Sequence, residues 1–520
     1  MNININHSYR AFDQEINNAA NWLRGKVFAA CGYSSEVLQD RLLQRIIDIG
    51  ITPYSMAVIA LQKSGLCGFP APGEKIDLGQ AILEIGTGKI TVPIKQWLLS
   101  QFEFCLHWAY CLFAIFWGLH AGKATLPVVL LYGVSDENIF KDEKDEQFVN
   151  YCHCGPIAPL KSGGRIICQS YSPRLASSPS DISYARNPLI GLLRDATLGV
   201  SGRVQLIFRH LALFFSYFSA VCRRPQLALI AKDFAYSSIS FEMDRRKYMS
   251  AIVLTTSSYP SQPLWLRALR HCKVHLVWYA QNFKPIAYSA DNLTSNVPSA
   301  RWMRIDTHWV WTKTFADYIR GLRHDTATET VGPILWYLPE LNSPSKSAAH
   351  ITIFDTSPYS DQVAVESGGE ITNYNSANNL FSFIRDVISL KPQLESAFRL
   401  PVTFHLKTKR GYIDIYDQAY FEYLDKLDSE NIITLEPPSE NMYALVSNSH
   451  LVIVYPFSSP AYIADFLKVP SIYYDPTNSI VRHDFGDAPS LINFANTPET
   501  LFEAAASAIS LAFPRAALTH

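Results

Sequence analysis

Between residues 351 and 511, short apolar runs alternate with segments of helical length, a pattern that few folds accommodate. Residues 351–354, 402–406, 432–435, 451–455 and 471–474 read as strands. Residues 378–389, 413–427, 441–447, 461–467 and 500–511 read as helices. The first of these is expected to end near Lys391-Pro392, because proline lacks the N–H that the next turn needs. Strands separated by helices return in parallel, so a doubly wound sheet is expected.

A looser version of the pattern precedes it. Apolar runs at 127–132, 227–231, 251–256, 274–279, 309–311 and 330–331 read as strands, with helices at 264–269 and 313–322. Residues 155–187, rich in Ser, Pro and Gly, read as loops, and the charge run at 141–146 as a solvated boundary. Residues 12–120 read as mainly helical, and the polar stretch 340–349 as a linker. The expected fold class is α/β: two Rossmann-like domains with parallel sheets facing a central cleft, plus a helical N-terminal region. The expected parts are 1–145, mainly helical and able to associate with a membrane, then 146–339 and 350–520, one Rossmann-like domain each.

Composition agrees with a globular chain. Of 520 residues, 48% are hydrophobic and 18% charged, enough apolar material for buried sheets. With 45 basic against 46 acidic residues the net charge is -1, which gives no electrostatic reason to expect a nucleic-acid partner. The nine cysteines are irregularly spaced and end at Cys272, which argues against a disulfide framework. Cys152-His153-Cys154 has no second ligand pair at zinc spacing, so no metal is expected. The polar N-terminus lacks the basic-then-apolar order of a secretory signal, and a cytoplasmic location follows as the default.

Two apolar segments bear on that location. Residues 104–119 are apolar apart from His107, but shorter than the ~18–20 residues that cross a bilayer. A buried helix feeding the strand at 127–132 is the plainer reading; a helix partly sunk in the inner leaflet, with Trp108, Tyr110 and Trp117 at the interface, is the other. Residues 205–224 have an apolar middle bracketed by arginines, which suits an anionic membrane surface and an amphipathic core helix nearly equally. Peripheral contact with the inner face of the cell membrane is the resulting expectation.

In open parallel sheets, ligands bind beyond the carboxyl ends of the strands. After the strand at 451–455 come Ser458 and Ser459, ahead of a helix whose free amides suit a phosphate. The plain alternative is that Ser459 caps the helix. After 402–404 come His405, Lys407, Lys409 and Arg410, a set able to neutralise a phosphate and a leaving group, or a solvated basic turn. After 351–354 come Asp355 and Ser357, which face the cleft or form an Asx-turn. In the first domain Ser257, Ser258 and Gln262 follow one strand, and Gln281 and Asn282 the next; these are the candidates for an acceptor side. Asp233, Asp291 and Asp306 are candidate bases, Asp233 foremost because it follows the run at 227–231.

At Ser257-Ser258, Gln262-Pro263-Leu264-Trp265, 278–282, Trp309-Val310-Trp311-Thr312, 331–336 and Pro456-Phe457-Ser458-Ser459 the chain resembles bacterial polysaccharide biosynthesis PFTS-motif proteins, over roughly residues 230–480. It carries Pro-Phe-Ser-Ser where that family has Pro-Phe-Thr-Ser, which keeps the hydroxyl. The resemblance implies a role in building surface polysaccharide such as capsule or O-antigen. Tandem Rossmann-like domains are the GT-B glycosyltransferase architecture, with 146–339 then the acceptor domain and 350–520 the nucleotide-sugar donor domain. His405 with Ser458-Ser459 is also similar in order to the CMP-binding motifs of GT-B sialic acid and Kdo transferases, although Leu406 stands where a proline usually follows the histidine. The implied activity is transfer of a sugar from a nucleotide sugar to a glycan or lipid-linked acceptor, inverting and metal-independent, with no cofactor beyond that co-substrate. A CMP-activated nonulosonic acid, a UDP-sugar and a GDP-sugar all remain open as donors. A sugar-nucleotide epimerase of GT-B fold and a non-catalytic polysaccharide-assembly protein are the alternatives.

Overall fold

The computed structural model describes residues 5–63, 72–117, 127–133, 145–161, 164–169, 181–255, 261–278, 280, 286–287, 301–323, 325–333, 344, 347–358, 360, 376–414, 416–456, 458–478, 481–482 and 491–513. Helices α1 (Ile5–Arg24) and α2 (Ser35–Lys63) pack side by side. A meander of three short antiparallel strands follows, which the helical expectation for 12–120 missed: β1 (Lys75–Asp77), β2 (Ile82–Glu84) and β3 (Lys89–Thr91). Three-residue strands carry too little alternation to stand out from loop sequence. The meander reaches α1 at Gly88, where φ is +65° and an added Cβ would lie 2.2 Å from the Asn18–Ala19 backbone, so a side chain is excluded there.

Helix α3 (Ile94–Trp117) leads to β4 (Val128–Tyr132), the first strand of a seven-stranded sheet. After α4 (Asp145–Cys154) come β5 (Ile166–Gln169) and β6 (Ile182–Ala185), two strands inside the segment expected to be loop. Then follow α5 (Pro188–Asp195), α6 (Gly199–Arg223), α7 (Ala231–Phe234) and α8 (Ser237–Arg245). The strand expected at 227–231 is instead a 3-10 helix, Pro225–Ile230, because Pro225 starts a turn directly after α6. The sheet is completed by β7 (Met249–Thr255), β8 (Lys273–Val277), β10 (Thr307–Val310) and, after α9 (Lys313–Leu322), β11 (Ala327–Thr330); a two-residue strand, β9 (Ile286–Ala287), lies apart from it. The helix expected at 264–269 is only a 3-10 turn, Leu264–Leu266.

Every pairing in this sheet is parallel, and its order is β11-β10-β8-β7-β4-β5-β6. Counted from its own first strand, that is the Rossmann order 3-2-1-4-5-6 with a seventh strand added. The boundary expected at 145/146 therefore falls inside this domain, since β4 supplies its central strand. One buried cluster joins α1, α2 and the meander to the sheet's helical face, so the N-terminal region and the first sheet form a single packed unit.

The second sheet is built from β12 (Ala349–Phe354), β13 (Val402–Lys407), β14 (Thr434–Glu436), β15 (Leu451–Val454), β16 (Ser471–Tyr474) and β18 (Ile492–Ala495); β17 (Val481–Arg482) stands outside it. Its order β14-β13-β12-β15-β16-β18 is again 3-2-1-4-5-6, all parallel. The connecting helices are α10 (Ala377–Phe398), α11 (Gln418–Ser429), α12 (Met442–Ser447), α13 (Pro460–Phe466) and α14 (Pro498–Ala512). Helix α10 does not stop at Lys391-Pro392 but runs through it. An internal proline costs about 3 kcal/mol, while burying Leu394 and Phe398 beyond it returns roughly 1.5–3 kcal/mol each. Helix α11 starts five residues later than expected, where the Asp417 side chain accepts from the Tyr420 amide.

The two sheets share a buried cluster. Trp309, Trp311, Val253 and Val277 from the first meet Phe354, Tyr443, Val454 and Ala461 from the second. Gly332, just after β11, has φ +77° and would place a Cβ 3.1 Å from Phe466 of α13, a close approach of the first domain to the second.

Candidate active-site cleft

In a 3-2-1-4 sheet the chain crosses to opposite sides after strands 1 and 4, and the loops part to leave a crevice between them. In the second sheet those strands are β12 and β15, paired in parallel from Ile351–Leu451 to Phe354–Val454. In the first they are β4 and β7. Strand β9 lies in the chain after β8, and β17 in the chain after β16, and the two pair antiparallel, Val481 with Ala287 and Arg482 with Ile286. That ribbon joins a loop from the carboxyl edge of each sheet, so the two edges face one another.

At the second crevice the loops are tied together. Asp355, immediately past β12, is buried, and its carboxylate accepts from the Lys409 amide at 2.9 Å and the Tyr420 hydroxyl at 2.7 Å. Burial pushes this carboxyl up to about 6, against the pull of those two donors. Ser357 and Arg410 exchange two bonds: the Arg410 amide donates to Ser357 Oγ at 3.0 Å, and that hydroxyl donates to the Arg410 carbonyl at 3.1 Å. Asp355 and Ser357 thus face inward and fix the course of the basic turn after β13.

Lys407 ends β13, with Nζ donating to the Pro438 carbonyl at 2.7 Å, and burial lowers its pKa. His405 is not at the strand end as expected, because β13 continues two residues past it. It shares the face of Thr403 and Lys407, opposite Phe404 and Leu406, which lie in the helix-covered core. Its Nδ1 lies 2.8 Å from Glu436 Oε1 on β14, the geometry of a carboxylate-held imidazole whose other nitrogen is the one left for a ligand.

The turn after β15 holds the two serines, both buried. The Ser458 carbonyl accepts from the Tyr473 hydroxyl at 2.7 Å, and its own hydroxyl donates to the Tyr455 carbonyl at 3.3 Å. The latter is long for an O–H···O bond, whose usual range is about 2.5–3.0 Å, so the hydroxyl loses little in turning to an anion. Ser459 stands at the N-cap of α13, but its side chain makes no capping bond, so the plain capping explanation does not account for it.

On the first sheet Arg186 directly follows β6, while the described residues at the ends of β4 and β7 are neutral. The Thr255 hydroxyl donates to the Gly133 carbonyl at 2.7 Å, and the Gly133 amide donates to Gln169 Oε1 at 2.9 Å. Trp278 Nε1 donates to His308 Nδ1 at 3.1 Å, and Trp311 Nε1 to the Trp278 carbonyl at 2.7 Å. Ser257, Ser258, Gln281, Asn282 and Asp291 lie outside the described residues.

Two expected site residues are committed elsewhere. Asp233 follows a 3-10 helix rather than a strand, and its carboxylate accepts from Arg41 Nε at 2.7 Å and the Leu264 amide at 2.9 Å, which pins α2 to the first domain. The ground for reading it as the base is thereby removed. Gln262 is fully buried: its Oε1 accepts from the Arg304 amide at 2.7 Å, and its Nε2 donates to the Leu266 and Arg304 carbonyls. It clamps the chain and is closed to an acceptor. Asp306 binds Lys273 Nζ and the Val274 amide, both at 2.8 Å. Sequence reading missed Glu436, Tyr420 and Tyr473, whose roles arise only from strand register and helix packing. No group of three or more metal-ligating side chains forms among the described residues.

Two Rossmann-order sheets in one chain, with facing carboxyl edges, define a GT-B-like α/β protein. The chain belongs to the polysaccharide biosynthesis PFTS motif family, whose model matches residues 211–499, more than half of its length. No curated protein matches the sequence. Among solved structures, a variant of the wall teichoic acid polymerase TagF is 10% identical, over 82% of this chain and 91% of that one, with a TM-score of 0.37. TarM of S. aureus, in complex with fondaparinux, alpha-GlcNAc-glycerol and UDP, is 11% identical over 55% of this chain and 52% of that one, TM-score 0.32. The pneumococcal O-GlcNAc transferase GtfA, in complex with UDP and GlcNAc, is 12% identical over 51% of this chain and 50% of that one, TM-score 0.31.

Proposed function

We propose that this protein is a nucleotide-sugar-dependent glycosyltransferase that adds a sugar to a growing polysaccharide or lipid-linked glycan. The observation that carries the reading is the Pro456–Ser459 turn at the β12/β15 crevice, beside the clamped basic turn of β13. The reading also agrees with membership in a polysaccharide-biosynthesis family. The donor phosphate lies against the Ser458-Ser459 turn, with Lys407, Lys409 and Arg410 offsetting its charge. As the sugar–phosphate bond breaks, negative charge grows on the leaving oxygen, and fixed cations and donors there stabilise it more than they stabilise the intact donor. Such a site completes an inverting transfer without a divalent ion. His405, oriented by Glu436, is the group suited to meet the leaving phosphate or the acceptor.

The acceptor enters from the first sheet's carboxyl edge, where Ser257, Ser258, Gln281 and Asn282 follow the strands. A CMP-activated nonulosonic acid is one donor that fits a histidine beside a serine pair; UDP- and GDP-sugars fit the same cations. The test is incubation with each nucleotide sugar, with and without a glycan acceptor. Release of nucleotide that requires the acceptor is the expected result. Interconversion of the nucleotide sugar with no acceptor present would make the protein an epimerase instead.

A further inference from the structure

Helices α3 and α6 form the outermost layer of the first domain, and their outer faces are apolar. They run antiparallel: Phe104 stacks on Tyr217, Trp108 on His210, and Arg203 donates to the Ile115 carbonyl. Along α3, Ile94, Leu98, Phe102, Leu106, Tyr110, Phe113 and Trp117 form an exposed apolar stripe at helical spacing, flanked by the exposed Leu99 and Phe116 and by Lys95 and Glu103. Phe102 is 70% exposed and Trp117 69%. Along α6 the exposed stripe is Val200, Val204, Phe208 and Phe215, with Phe208 at 66% and Phe215 at 70%. Scattered exposed apolar residues are ordinary, but two adjacent stripes on paired helices make a continuous patch of the kind that marks an interaction surface.

We infer that the α3–α6 face docks on an anionic lipid bilayer, lying in its interface and not crossing it. The charge around the patch selects this occupant. Outside the core, the two helices and Arg224 carry Lys95, Arg209, Arg223 and Arg224 against one acid, Glu103, which pairs with Lys232 at 3.8 Å. Beside α6, one buried carboxylate, Glu242, serves Arg209, Arg245 and Arg246 together, which leaves surplus positive charge at the rim. An apolar stripe with aromatic residues and a basic border matches the acyl boundary and anionic headgroups of a membrane. A two-fold contact with a second copy would press those like charges together.

Both helices are long and apolar enough to cross a bilayer by length and composition. Each, however, buries one stripe in the domain: Phe104, Cys111 and Ile115 on α3, and Leu206, His210, Leu213 and Tyr217 on α6. Crossing would strip those contacts from the rest of the domain, including the His210 Nδ1 bond to Ser238 Oγ on α8 at 2.7 Å. Lying flat keeps all of them.

The test is co-sedimentation of the full chain with vesicles of phosphatidylcholine alone or mixed with phosphatidylglycerol. The protein is expected to sediment with the mixed vesicles and to leave them at high salt. Phe102→Glu, Phe113→Glu, Phe208→Glu and Phe215→Glu combined, and separately Arg223→Glu with Arg224→Glu, are expected to abolish sedimentation while the unfolding temperature is kept, since all these side chains lie outside the core. A wild type that stays in solution with both vesicles overturns the inference, as does a fourfold variant that still sediments. So does a dimer in solution that the fourfold variant dissociates while vesicles bind neither form. Nucleotide binding, measured on the same variants, is expected to be unchanged, so the donor-site reading stands or falls separately.

Discussion

The two sheets share a strand order but are furnished differently at the crevice that order creates. In the second, Asp355 is buried against the Tyr420 hydroxyl and the Lys409 amide, with Lys407 ending β13 and Lys409 and Arg410 following it. In the first, Thr255 and Gly133 close the equivalent position with a neutral bond. The histidines of its strands are uncharged as well: burial pushes His275 down to about 4 and His308 to about 3. Topology supplies a crevice in both halves, and among the described residues at the two crevices only the second gathers charged side chains.

The sharpest way to break this contrast is to remove its anchor. Asp355→Ala strands two buried donors and is expected to cost about 3 kcal/mol or more in urea unfolding, whereas Thr255→Val, losing one neutral bond, is expected to cost about 1 kcal/mol. Equal losses would mean that the two crevices are built alike.

Acid separates the halves next. The Asp355 carboxyl is raised to about 6, so its favourable contribution is complete below its unfolded value of about 4 and is lost as pH rises through 6. The shift of roughly two units corresponds to about 3 kcal/mol at most. His275 and His308 are lowered, so their contribution is present above about 6.5 and is lost as pH falls toward 4. Comparing wild type with Asp355→Asn by urea unfolding at several pH values is expected to show a stability difference that changes between pH ~4 and ~6 and is flat above. A difference that does not move with pH would place the Asp355 carboxylate in water.

Smaller effects sharpen the picture. Ser458→Ala with Ser459→Ala is expected to weaken nucleotide binding about tenfold or more, near 1.4 kcal/mol, by isothermal titration, while Thr255→Val leaves it within about twofold. Gly332→Ala, at φ +77° and against Phe466, is expected to cost roughly 1 kcal/mol in thermal unfolding and to loosen the contact between domains. No change would mean that Phe466 yields freely.

Much of the second sheet was legible in the sequence because each strand is a near-continuous apolar run between polar turns. Strand β18 escaped because Ile492-Asn493-Phe494-Ala495 is short and interrupted by the polar Asn493. In the first domain β5 and β6 hid inside Ser- and Pro-rich sequence, and 227–231 looked like a strand because a buried 3-10 helix is equally apolar. The positions of Lys409, Arg410, Ser458 and Ser459 beyond strand ends were readable from order alone. The inward turn of Asp355, the pairing of His405 with Glu436, and the commitment of Asp233 to Arg41 and of Gln262 to Arg304 were not, because they depend on register and on helices distant in sequence. The plainer reading of 104–119 as a buried helix holds for one face only: α3 buries Phe104, Cys111 and Ile115 but leaves Leu106, Phe113 and Trp117 facing outward, since only one face of a helix can meet the domain.

The most direct test of the central claim is a thermal-shift panel of CMP, UDP, GDP and dTDP on wild type and on the Ser458→Ala, Ser459→Ala variant. A ligand that binds only the folded state raises its unfolding temperature by mass action. The account predicts that one nucleotide stabilises the wild type and that the variant, folded to the same baseline temperature, loses that shift. A wild type indifferent to all four nucleotides, or a variant that responds as the wild type does, would contradict a donor site at the β12/β15 crevice.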